Sequence, residues 1–154
     1  MRLNSRFRFA VYAAFAALFV TGAAWLVADA WKDPEAEIWQ TVAANLLMLH
    51  GGAAMVTLMF LGALVPLHAR RNWRIQNNRP TGTLMLTSNA ILVVTAFCLY
   101  YVGWDALRWW VSEVHTAVGL FLPALLLVHV LLGRRSADAA YAGSGSAASR
   151  RVPK

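Results

Sequence analysis

Residues 114–135 read VHTAVGLFLPALLLVHVLLGRR. No charged side chain stands between His115 and His129, and the stretch closes on Gly133, Arg134 and Arg135. Extended upstream to about Leu107, the run is long enough as a helix to cross a hydrocarbon core about 30 Å thick, which takes roughly 20 residues. The arginine pair marks where the chain emerges from lipid, because a guanidinium is costly inside it. The same cost applies to ionisable or ligating groups within the run, so both histidines are candidate functional residues.

Three more apolar runs precede this one, at about Phe9–Ala28, Trp39–His68 (with Pro66 near its end) and Leu84–Val102, and the fourth closes at about Leu132. Of the 154 residues, 59% are hydrophobic and 14% charged, against about 45–50% and 25% in soluble domains. The expected fold is therefore an all-α membrane protein, a four-transmembrane-helix up-down bundle over residues 1–135, in contact with lipid. Residues 136–154 include AGSGSAAS, have no apolar period and read as a disordered basic tail.

The first run has a rival reading. Arg2, Arg6 and Arg8 ahead of an apolar stretch that ends at Ala28-Asp29-Ala30 resemble a signal peptide. A stretch of about 20 residues exceeds the usual signal core of 7–15 and favours a spanning helix. The net charge of +7 does not point to nucleic acid, because the basic residues sit in short clusters between apolar runs. Cys98 is alone, which excludes a disulfide framework and a cysteine metal site, and reads as a small buried hydrophobe.

The arginines set the expected orientation. Arg2, Arg6, Arg8, Arg70, Arg71, Arg74, Arg79, Arg134 and Arg135 flank the runs on one side, with only Lys32 and Arg108 on the other. The opposite side also collects Asp29, Asp33, Glu35, Glu37, Asp105 and Glu113, and every tryptophan except Trp73. The positive-inside rule places both termini in the cytoplasm, with the tryptophans forming an outer interfacial belt. The expected location is the inner (plasma) membrane of a bacterium.

All four histidines, His50, His68, His115 and His129, fall in the second and fourth runs. A lone histidine in such a run is most simply a core residue bonded to a neighbouring helix. The spacing argues for more. His50 and His68 are 18 apart, five full turns at about 100° per residue, and His115 and His129 are 14 apart, about 40° short of four turns. Each pair lies on one helix face. Depths also match: His50 is 20 residues before Arg70 and His115 is 19 before Arg134, while His68 and His129 are 2 and 5 before the same arginines. Paired histidines at equal depth on facing helices are what bis-histidine ligation of haem iron requires. Two layers are expected, His50 with His115 on the outer side and His68 with His129 on the inner side, about 21–27 Å apart. Gly51, Gly52, Ala54 and Gly119 near the outer pair leave room for a flat macrocycle or for close helix packing. Arg70, Arg71, Arg74 and Arg134 stand near the inner pair as candidate partners of haem propionates.

On these residues the chain resembles the four-helix cytochrome b subunits of membrane-bound hydrogenases and formate dehydrogenases, and related bacterial b-type cytochromes. The likeness covers the second to fourth helices, with 114–135 similar to the family's helix that gives one ligand to each of two haems. It implies that His115 and His129 are those ligands and that His50 partners the outer haem. Members often place the remaining ligand in the first helix, but Phe9–Ala28 contains no histidine, which leaves His68. The implied role is electron transfer across the bilayer as a subunit rather than as a stand-alone enzyme. The partner would be another subunit or a soluble electron carrier.

Polar residues of the third run, Thr83, Thr87, Ser88, Asn89 and Thr95, could bond between helices or line a quinone pocket. Asp105, Arg108 and Glu113 could handle quinol protons or simply be solvated loop charges. A different class, a membrane protein that binds or transports copper through the histidines, also fits imidazole chemistry. It needs ligands a few ångströms apart, which the spacing within each helix does not provide.

Overall fold

The computed structural model describes residues 4–31, 37–66 and 79–149, the last fifteen by backbone alone. Four helices account for nearly all of them: α1 Ser5–Ala30, α2 Glu37–Leu64, α3 Arg79–Tyr101 and α4 Asp105–Ser149. The first three, and Asp105–Arg134 of the fourth, are long and apolar enough to cross a membrane. The chain is an all-helical protein with the elements of a multi-pass membrane protein.

The helices begin before the apolar runs because backbone hydrogen bonding continues into polar flanks that hydropathy leaves out. Asn4 caps α1: its side-chain oxygen accepts from the Arg6 amide at 3.1 Å, and its carbonyl accepts from Arg8 at 3.0 Å. Glu37 and Asp105 lie in the first turns of α2 and α4, where a carboxylate meets the positive end of the helix dipole. Pro80 occupies the first turn of α3, where its missing N–H leaves no bond unmade. After Leu64, Val65 and Pro66 adopt the wider π geometry. The tail, 136–154, enters the description only as the backbone of α4 up to Ser149.

The chain divides into two compact units, 1–68 and 69–154. In the first, α1 packs against α2. The rings of Trp31 and Trp39 meet edge-on at 5.3 Å at one end of the pair, and Phe7 meets Phe60 at 5.8 Å towards the other. The two helices therefore run antiparallel. In the second unit α3 packs against α4. The link between them is short: the Val102 amide donates to Cys98, and the Arg108 amide donates to Trp104 to open the next helix.

Buried side chains are few and mostly small or aliphatic, Ala28, Ala43, Leu122 and Leu125 among them. Large apolar side chains face outward on every helix, with Phe9 75%, Met59 77%, Phe97 62% and Leu127 60% exposed. Water would penalise that surface by about 25 cal/mol for each Å² left wet, whereas lipid does not. Buried polar groups are satisfied within their own helices. Thr57 donates to the Ala53 carbonyl at 2.8 Å and Asn89 to the Met85 carbonyl at 2.8 Å. Lipid offers no alternative partner for such groups.

Candidate functional site

In the first unit, His50 lies thirteen residues into α2 and is half-buried against α1. Its Nδ1 is 3.0 Å from the Leu18 carbonyl oxygen and 3.2 Å from the Thr21 hydroxyl. A carbonyl can only accept, so Nδ1 carries the proton and donates to Leu18. The Thr21 hydroxyl donates its own proton back along α1 to the Ala17 carbonyl at 2.7 Å, and so faces His50 as an acceptor. The imidazole is thereby held as the tautomer whose Nε2 carries the lone pair.

Gly22 makes this approach possible. A Cβ added there would lie 2.8 Å from Cε1 of His50 and 3.1 Å from Nδ1. The ring fits against α1 because that side chain is missing. Alanine at position 22 forces the ring or the helix to shift, and overpacking of this kind costs about 1–3 kcal/mol. Gly52 is the control, since a Cβ there meets nothing within 4 Å, and a helical Gly→Ala change alone stabilises by roughly 0.5–1 kcal/mol. Gly22→Ala should therefore lower the thermal midpoint in detergent while Gly52→Ala leaves it equal or higher. A midpoint for Gly22→Ala no lower than that of Gly52→Ala would contradict the close approach.

In the second unit, His115 and His129 are both half-buried on α4. Nδ1 of His115 lies 2.8 Å from the Thr95 hydroxyl, and Nδ1 of His129 lies 3.0 Å from the Thr81 hydroxyl, both threonines on α3. The histidines are 14 residues apart on one helix and the threonines 14 apart on the other, so one antiparallel register sets both contacts. At 1.5 Å per residue the two levels are about 21 Å apart. Thr95 donates to the Ile91 carbonyl at 2.7 Å, also lies 3.2 Å from that of Leu92, and is buried.

A Thr-Gly pair recurs beside two of the rings. Thr21-Gly22 lies against His50, and Thr81-Gly82 lies against His129, where a Cβ on Gly82 would be 3.9 Å from Cε1. Neither pair stands out in the sequence, because hydropathy treats both as breaks in an apolar pattern. The recurrence of Thr-Gly in two helices that carry no histidine was the available signal.

The remaining candidates are placed as follows. Gly51 is half-buried in α2 beside His50, and Gly119 lies one turn beyond His115, where a Cβ would meet only Leu92 at 3.8 Å. Pro123, a further turn along, has no N–H to donate to the Gly119 carbonyl, which weakens α4 between its two histidines. Among the third-helix polar residues, Thr95 reaches across to α4, whereas Asn89 bonds back to its own helix. Thr83 and Thr87 are exposed. Asp105, Arg108 and Glu113 are exposed at the start of α4, and Arg134 is exposed at the end of its apolar stretch. His68, Arg70, Arg71 and Arg74 lie outside the described residues.

Among the described residues no three His, Cys, Asp or Glu side chains come together as a set for a bare metal ion. A ligating imidazole generally donates its other ring N–H to a carbonyl or similar acceptor, which fixes the tautomer and the ring plane, and the Leu18 carbonyl supports His50 in that way. Compared with known proteins, the chain matches no family model, no curated protein and no solved structure.

Proposed function

We propose that the chain is a membrane b-type cytochrome that carries electrons across the bilayer as the membrane subunit of a redox complex. The observation that carries this reading is the support of the histidine rings. His50, His115 and His129 each engage the neighbouring helix through Nδ1, and in this reading Nε2 would be the ligating nitrogen. In this reading the histidines paired by depth in the sequence, His50 with His115 and His68 with His129, are the ligands of an outer and an inner haem.

Bound haem b supplies a one-electron iron couple. The protein's own groups do the rest. Leu18 and Thr95 orient the outer ligands, and the apolar helix bodies keep water from the core. The two levels on α4, about 21 Å apart, cover roughly two thirds of a 30 Å hydrocarbon core, so electrons can pass from one side to the other through one chain. Arg70, Arg71 and Arg134 supply positive charge for propionates at the inner level. Electrons would come from a partner subunit or soluble carrier, and a quinone is a further candidate partner. The direct test is the chain purified from membranes, which should carry b-type haem; a colourless protein under haem-replete expression contradicts the reading.

The same proposal places both termini on the cytoplasmic face of a bacterial inner membrane, on the strength of nine flanking arginines against two basic residues on the other side. A phosphatase reporter fused after Lys154 should be inactive and a fluorescent-protein fusion bright. The opposite pair of results reverses the orientation.

A further inference from the structure

Both proposed outer ligands present Nδ1 to the neighbouring helix. His50 donates from Nδ1 to a main-chain carbonyl, that of Leu18, with the Thr21 hydroxyl as a second acceptor. For His115 the contact described at Nδ1 is the Thr95 hydroxyl, at 2.8 Å. A hydroxyl has one proton. At Thr95 it is directed to the Ile91 carbonyl, 2.7 Å away, a separation that two oxygens reach only with a proton between them. The lone pairs of the same oxygen are left to face the imidazole. We propose that Thr95 is the positioning residue of His115: its hydroxyl accepts the Nδ1 proton and so fixes Nε2 as the ligating nitrogen, whereas Thr21 plays a dispensable part at His50.

The consequence for the tautomer follows from these contacts alone. The consequence for redox behaviour rests on the haem reading. An imidazole that donates through Nδ1 is a more basic ligand and favours the ferric state. Loss of the acceptor should raise the midpoint potential of the haem that His115 ligates. A hydrogen bond of ordinary net strength shifts an equilibrium by up to roughly tenfold, which for one electron is about 59 mV.

Valine matches threonine in shape and removes only the hydroxyl, so Thr95→Val tests the contact with little change in packing. Thr95→Ser keeps the hydroxyl, and Thr21→Val removes the acceptor that the Leu18 carbonyl backs up. Nitrogen-15 NMR of the histidine-labelled full chain in lipid nanodiscs, before haem is added, reads the tautomer directly. His115 should show a protonated Nδ1 and a bare Nε2 in the unaltered chain and in Thr95→Ser, and should lose that state in Thr95→Val. His50 should keep its protonated Nδ1 in Thr21→Val. Potentiometric titration of the haem-loaded chains should show an upward shift of up to about 59 mV for Thr95→Val and a smaller one for Thr21→Val.

A His115 protonated on Nε2 in the unaltered chain, or nitrogen shifts left unchanged by Thr95→Val, overturns the assignment. So does a larger potential shift in Thr21→Val than in Thr95→Val. A chain that takes up no haem while the NMR result holds would sink the electron-transfer reading and leave the positioning role standing.

Discussion

His115→Ala should remove one of two haems outright while leaving the helices inserted. Losing a supporting hydrogen bond costs a metal site roughly 10–100-fold in affinity, and losing the ligand itself must cost more. The fold should tolerate the change, because the hydroxyl of Thr95 keeps its bond to the Ile91 carbonyl when the imidazole is gone. His50→Ala should give the same spectral loss, since the proposal pairs the two histidines, matched in depth along the sequence, as ligands of one haem. It also opens space beside Gly22 rather than creating a clash. Haem content by the pyridine haemochrome assay should fall from two per chain to one in each variant. A low-spin spectrum of undiminished intensity in His115→Ala removes that residue from the site.

His129→Ala and His68→Ala should each remove the other haem, again lowering two to one, and pairing either with His115→Ala should give a haem-free protein. His129 is placed by the structure, with its Nδ1 3.0 Å from the Thr81 hydroxyl. His68 enters by sequence alone: it shares a face with His50, and α1 has no histidine to offer. If His68→Ala retains both haems while His129→Ala loses one, the fourth ligand belongs to another residue. If neither variant loses a haem, there is no inner site.

The four helices were legible because their apolar runs are uninterrupted for about 20 residues, a length few soluble helices share. Their ends were less so. Ser5 to Arg8 and Arg79 to Thr83 are mostly polar yet helical, since a cap or a first-turn proline governs those turns and hydropathy does not. The histidines declared themselves through spacing, and the 14-residue step from His115 to His129 reappears in the threonines that meet them. What the sequence concealed was the role of α1. Its apolar run contains no histidine, although Leu18, Thr21 and Gly22 shape the seat of His50. A main-chain carbonyl and an absent side chain carry no sequence signature, and only the packing of the helices brings them to the ring.

The central claim is haem ligation by these histidines, and an absorption spectrum tests it most directly. The full chain should be produced with haem synthesis unrestricted, purified in mild detergent, and scanned oxidised and then reduced with dithionite. The account predicts the sharp, split visible bands of low-spin bis-histidine haem b on reduction, insensitive to carbon monoxide because both axial positions are filled, at two haems per chain. A protein that folds and inserts but shows no haem absorption, or binds haem only in a carbon-monoxide-reactive high-spin form, contradicts it.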